Sequence, residues 1–341
     1  MRVATYNADL SRKGPGLLLR DILTGTDPQV EAAASVIAAA APDVLLLTGI
    51  DYDLDLVALN AFAGRIAIKG RDYPHRFALR PNTGWATGID VDGDGRTGGP
   101  GDAQGFGRFA GEGGMAILSR LPLGPAEDYS GFLWRDLPGA LIDGAELSPE
   151  ASTVQRLSST GHWAVPVDLP GGGTLTLLAW HASPPVFDGP EDRNGRRNHD
   201  EAAFWSRLLD GALPYPPPKG PLVLLGDANL DTVDGDGQPD ALKALLNGDR
   251  FRDPKPASTG GVAAAGQGGA NVGQSGDPAL DTADWPDDPG PGNMRVDYVL
   301  PSSALKVTAA GVWWPEPGSD AAVLAEAASR HRLVWVDLDL P

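Results

Sequence analysis

The sequence predicts a layered α/β fold, and three observations carry that expectation. Short apolar runs recur along the chain, helical patterns alternate with them, and no linker divides the 341 residues. With 42% hydrophobic residues the chain can bury a sizeable core. A single domain spanning 1–341 is therefore expected, with long surface loops at about 82–114 and 256–276.

The elements follow in order. Arg2 to Asn7 reads as a strand. A helix then starts cleanly: Asp27 is placed to cap it, Pro28 suits its first turn, and Val30, Ala33, Ala34, Ile37 and Ala41 share one face before Pro42 ends it. Asp43 to Ile50 is almost wholly apolar, as expected of a strand covered on both faces. Asn82 to Gly114, dense in Gly and Asp, reads as a loop. Further strands are expected at Met115 to Leu118, Leu175 to Trp180, Leu222 to Leu225, Val296 to Leu300, Val307 to Trp314 and Leu333 to Leu338. Helical patterns lie at roughly 54–66, 197–210, 239–247 and 319–329. Pro256 to Gly276 has no charged residue and a Gly/Ala/Ser/Gln composition that favours a loop.

Charge narrows the partners. Forty-five acidic against 27 basic residues leave a net charge of −18, a field that repels extended nucleic acid and acidic lipid. A small phosphorylated substrate needs only a local basic pocket. No cysteine is present, which excludes disulfides, thiolate metal sites and cysteine nucleophiles. No apolar run approaches the roughly 18 residues needed to span a bilayer. The first strand begins directly after Met1 with no signal peptide ahead of it, so a cytoplasmic protein is expected as written, and a secreted or periplasmic one if the start is truncated.

Several residues could carry chemistry. Leu222-Val-Leu-Leu-Gly-Asp-Ala-Asn229 sets Asp227 and Asn229 two residues apart at a strand's exit, on one face. An anion and a hydrogen-bonding amide so held suit a hydrolytic water, a leaving oxygen or a metal; an Asp/Asn turn is the structural alternative. His181 ends an apolar run, where an imidazole either contacts a phosphoryl oxygen or serves structure. Asp297 is a charge inside an apolar strand and needs a partner, and His331 before the last strand is available. Such a pair fixes the tautomer and raises the basicity of the ring, a general-base arrangement that is equally open to a structural role.

Arg193, Arg196 and Arg197 either rim a phosphate or pair with the acidic residues around them. Asp90, Asp92 and Asp94 with Gly95 follow calcium-loop spacing, although Gly101 stands where such a loop has its closing glutamate; an Asp/Gly turn is the alternative, and an ion there would order a loop. His75, His162 and His199 have no constellation and read as structural or surface residues. Gly111-Glu-Gly-Gly114 lacks the Lys-Ser/Thr ending of a phosphate-binding P-loop.

Together and in order, these segments resemble the endonuclease/exonuclease/phosphatase superfamily, as a divergent bacterial-type member. The matches are Asn7 at the end of the first strand, Pro-Asp-Val-Leu-Leu-Leu at 42–47 and Gly-Met-Ala-Ile-Leu-Ser-Arg at 114–120. They continue with His181, Gly-Asp-Ala-Asn at 226–229, Arg-Val-Asp-Tyr-Val-Leu at 295–300 and Ser-Arg-His at 329–331. The resemblance implies a four-layered α/β/β/α sandwich: two mixed sheets face to face, helices outside, and the site at one end of the sheets. It implies that Asn7 belongs to a metal shell and that His181 contacts phosphate. Asp227 and Asn229 would handle water and leaving group, with Asp297 orienting His331. The implied reaction is in-line attack by water on phosphorus, assisted by a divalent cation such as Mg or Mn.

Two positions depart from the family pattern. Thr48-Gly49 replaces the Gln-Glu or Asn-Glu pair whose glutamate is the main metal ligand, and Arg330 replaces the aspartate of Ser-Asp-His. Two anions are lost and a cation is gained. Asp51 could replace the glutamate as a metal ligand; alternatively Arg330 binds the phosphoryl oxygens of the substrate, or the site only binds. The expected function is hydrolysis of a small or exposed phosphoester, mono- or diester. The alternatives are a nuclease of the same chemistry and a non-catalytic relative that binds a phosphorylated ligand or a partner protein.

Overall fold

The structure is a computed structural model that describes residues 1–340. In chain order its first strands are β1 (Arg2–Asn7), β2 (Val44–Ile50), β3 (His75–Phe77), β4 (Gly114–Ser119), β5 (Glu127–Asp128) and β6 (Gly161–Asp168). They are followed by β7 (Thr174–His181), β8 (Leu222–Asp227), β9 (Ala283–Asp284), β10 (Asn293–Met294), β11 (Asp297–Pro301), β12 (Lys306–Trp313) and β13 (Leu333–Asp339). The helices are α1 (Leu17–Thr24), α2 (Pro28–Ala40), α3 (Val57–Ile68), α4 (Pro149–Val154), α5 (Arg193–Leu209), α6 (Asp240–Asn247), α7 (Thr259–Ala264) and α8 (Asp320–Ala328).

One sheet has the order β12-β13-β1-β2-β4-β3 and the other β11-β8-β7-β6-β5, with β9 and β10 as a separate ribbon. Both large sheets are mixed: β1 runs parallel to β2 and antiparallel to β13, while β8 runs parallel to β7 and antiparallel to β11. Their inner faces meet through Val3, Leu46 and Val336 from one sheet and Leu177, Leu225 and Val299 from the other. On the outer face of the first sheet Ala4, Tyr6, Leu45 and Leu47 pack under α1, α2 and α3. On that of the second, Leu178, Leu224 and Tyr298 pack under α5 and α6. The fold is thus the four-layered α/β/β/α sandwich.

Strand parity places the polar residues. Val3 faces the second sheet, so Asn7, four positions on, does too. By the same count Leu177 and Ala179 carry His181 inward, Val223 and Leu225 carry Asp227, and Val299 brings Asp297. Asp227 pairs in register with both His181 and Asp297, so three strands of one sheet deliver three polar side chains side by side at its end.

Asp27 caps α2 as expected, accepting from Val30 N at 2.9 Å. Besides the short helices α1 and α4, which were not anticipated, three regions depart from expectation. β6 was not anticipated, because Pro166 interrupts its pattern, yet it pairs with β7 along its whole length. The Arg-rich segment expected to precede a helix at 197 is itself helical from Arg193. Within 256–276, read as a loop, Ser258 caps α7 by accepting from Gly261 N, and 3-10 turns follow. Its small residues hid the helix because they carry no periodic apolar signal. Among the described residues no helix is long and apolar enough to cross a membrane.

Candidate active site

Asp227 lies at the centre of the buried cluster and is fully buried. Its Oδ2 accepts from Asn7 Nδ2 at 2.8 Å and lies 3.5 Å from His181 Nε2, while its Oδ1 accepts from Asn229 N at 2.8 Å. His331 Nδ1 is bonded to Asp297 Oδ2 at 2.9 Å, and its Nε2 lies 3.5 Å from Asn7 Nδ2. The structure therefore brings together Asn7, His181, Asp227, Asn229, Asp297 and His331, from both sheets. Asn229, at φ 49°, has turned out of the strand, and its Nδ2 donates to Ala182 O at 2.9 Å. Its contacts brace Asp227 and the neighbouring loop.

The electrostatics follow from burial. Desolvation raises the pKa of Asp227, and the nearby charge of Asp297 adds to it; His331, His181 and the Asn7 hydrogen bond oppose. His181 is pushed down by burial against the opposing charge of Asp227, which keeps its ring neutral. His331 goes the other way. Burial favours its neutral form, but the charges of Asp297 and Asp227, the hydrogen bond to Asp297 and the charge of Asp9 outweigh it and raise the pKa to about 9.

A stability prediction follows. The folded value of about 9 exceeds the ordinary 6.5, so the folded protein holds this proton more tightly than the unfolded chain does. The stabilisation is complete below about pH 6.5 and is lost as pH rises through about 9. Thermal denaturation of wild type and His331→Gln across this range is expected to show their difference shrinking as pH rises. A constant difference would contradict the assigned charge.

Two supporting residues had no signal in the sequence. Thr282 Oγ1 donates to Asp297 Oδ2 at 3.0 Å and accepts from the backbone of Val296 and Asp297. Trp285 sets its ring edge-on to His331 at 5.3 Å. Both lie on the segment that bridges to the backbone at 330–332, far in sequence from His331.

Other residues expected at the site lie elsewhere. Asp51 is buried, and its oxygens accept from Ser11 Oγ at 2.7 Å, Arg12 N at 3.0 Å and Gly113 N at 3.0 Å, so it ties three chain segments together. Arg197 is buried and donates to the carbonyls of Leu157, Gln104, Arg156 and Ser158. Arg196 donates to Glu191 O at 2.9 Å. Neither arginine contacts the Asp227 cluster: the guanidinium of Arg197, which lines the cavity beside His181, is spent on four loop carbonyls, and that of Arg196 on the Glu191 carbonyl. Arg330 is exposed and pairs with Asp9 at 2.9 Å.

In the loop at 82–114, Asp90, Asp92 and Asp102 bring ligand oxygens within 4.8 Å of one another. Asp94 is not in this group; its Oδ1 accepts from Arg96 N at 2.8 Å. The acidic cluster therefore differs in one member from the calcium spacing read in the sequence. Phe106 and Phe187, exposed aromatics, line a cavity of about 850 Å³ beside His181.

With fold and site described, comparison places the chain. It belongs to the endonuclease/exonuclease/phosphatase family, whose model matches residues 4–331. Members of this family hydrolyse phosphoester bonds, and they commonly use divalent cations. Among solved structures it is similar to an endonuclease/exonuclease/phosphatase from Beutenbergia cavernae at 22% identity and a TM-score of 0.56, covering 100% of this chain and 71% of that one. It is also similar to a family protein from Leptotrichia buccalis (15% identity, TM-score 0.54) and to a mannosyl-6-phosphatase from Bacteroides thetaiotaomicron (14%, 0.51), each covering 100% of both chains. A search of curated proteins gives no match.

The residues here do not fit a divalent ion as the family pattern would hold it. Gly49 contributes no carboxylate and Asp51 has spent its oxygens on other donors. Asp227, Asp297 and His331 also bring ligand atoms within 4.8 Å of one another, a group in which Asp297 Oδ2 and His331 Nδ1 are bonded to each other at 2.9 Å.

Proposed function

We propose that this chain hydrolyses small or exposed phosphoesters by in-line attack of water on phosphorus. The observation that carries the reading is the convergence of Asn7, His181, Asp227, Asp297 and His331 at one end of the two sheets, linked by contacts of 2.8 to 3.5 Å. Asp227 takes the proton of the attacking water, a task favoured by the burial that raises its pKa. His331, charged near neutral pH, turns its Nε2 proton toward the phosphoryl oxygens, while Asp297 and Thr282 hold the ring from behind. Neutral His181 keeps Asp227 oriented and offers a second contact to phosphate. Asn7 and Asn229 hold the two oxygens of Asp227. Arg196 and Arg197 make no contact with these residues, although Arg197 lines the cavity beside His181.

The net charge of −18 favours a small substrate over long DNA, because a nuclease gains affinity from many Lys and Arg contacts to phosphates. The 850 Å³ cavity beside His181 is of the size that holds a small organic group. Turnover of bis-p-nitrophenyl phosphate or p-nitrophenyl phosphate without nicking of supercoiled plasmid is the expected result. Plasmid cleavage would favour the nuclease, and inertness toward a broad phosphoester panel would favour a binding protein.

A further inference from the structure

We infer that the guanidinium of Arg330 holds the phosphoryl group where relatives place a divalent cation, so that phosphate binding here requires no metal. The inference rests on this being the phosphoryl site of the proposed hydrolase. Gly49 is the first observation. Its backbone has a left-handed φ of 66°, and a Cβ built there would lie 2.3 Å from Asn7 Oδ1. The amide of Asn7 occupies the space through which an acidic side chain would leave the strand, so the position is closed to a ligand.

Arg330 is the second. Its guanidinium stands 2.9 Å from Asp9 Oδ2, the amide of Asp9 donates to Asn7 Oδ1 at 3.1 Å, and Asn7 Nδ2 donates to Asp227 Oδ2 at 2.8 Å. Three contacts thus connect the exposed guanidinium of Arg330 to the buried carboxylate of Asp227. With side chains 55% and 37% exposed, the Arg330–Asp9 pair is solvated and weakly held, so a phosphoryl group with two charges can displace Asp9 and take the guanidinium fork with two oxygens.

Charge is the third. Against the family pattern, Gly49 and Arg330 together shift the local charge by three units toward positive, more than the two units an ion supplies. A dication beside the guanidinium would meet like-charge repulsion in place of the attraction two carboxylates would offer. The substitutions thus remove the ion's ligands and supply its charge by another route.

Calorimetric titration with inorganic phosphate in EDTA tests this. Wild type is expected to bind, with an affinity that Mg²⁺ changes by less than about twofold. Arg330→Ala is expected to weaken binding about tenfold or more, Arg330→Lys by a smaller factor, and Asp9→Asn to tighten it about threefold by removing the competing carboxylate. Misfolding cannot produce that gain. Binding that appears only with Mg²⁺, binding in EDTA that Arg330→Ala leaves unchanged, or no binding in either condition would overturn the inference. Phosphate bound in EDTA through Arg330 with no phosphoester hydrolysed retains it and sinks the hydrolase reading. Hydrolysis and phosphate binding that are both lost in EDTA and restored by Mg²⁺ do the reverse.

Discussion

Replacing His331 with glutamine is expected to lower kcat on bis-p-nitrophenyl phosphate by about 10²–10⁴-fold, the range for loss of a positioned acid or base. The ring is held by a 2.9 Å bond from Nδ1 to Asp297 and by the edge-on Trp285, so glutamine removes its charge from a fixed place. Asp297→Asn is expected to cost about 10²-fold alone and almost nothing further in the His331→Gln background, because Asp297 acts through the ring. Steady-state kinetics on the two single variants and the double decide it. Losses that multiply would mean that Asp297 touches the reaction independently.

Gly49→Ala is expected to destabilise the protein by about 2–4 kcal/mol. The left-handed backbone at φ 66° contributes about 1 kcal/mol for any residue with a Cβ. The remainder comes from the overlap at 2.3 Å with Asn7 Oδ1, which forces the amide away and breaks its 2.8 Å bond to buried Asp227. Urea denaturation with an unchanged slope would report this as a shift of midpoint. Because the same amide holds Asp227, the variant is also expected to lose activity at temperatures where it remains folded. A cost below about 0.5 kcal/mol would show that the end of β2 relaxes freely and would remove the steric reason for the missing ligand.

Much of the fold was legible because its cues are local. Asp27 before Pro28 announces a capped helix within a few residues, and Val44 to Leu47 announces a buried strand by composition alone. Polar residues at or inside apolar runs singled out His181, Asp227 and Asp297 before any tertiary contact was known, whereas Asn7 stood out only through the resemblance to the family. β6 escaped because a proline breaks such a pattern, although one backbone donor is all that pairing loses there.

The sequence by itself determined the interleaving of strands and helices and the strand ends that carry the cluster; the four layers and the two departures at Gly49 and Arg330 were legible only through its resemblance to the family. Tertiary structure alone decided where each side chain spends its bonds. Asp51 and Arg197 carry the right charges for a metal and a phosphate, yet both are engaged by backbone groups that burial would otherwise leave unpaired. Thr282 and Trp285 support His331 from a segment more than 40 residues away, and Arg330 meets Asp9 across the whole length of the chain. The difference has a physical reason. Strand parity and helix caps are set by a residue's nearest neighbours, whereas the partner of a buried charge is whichever group packing brings within about 3 Å, and no local pattern encodes that.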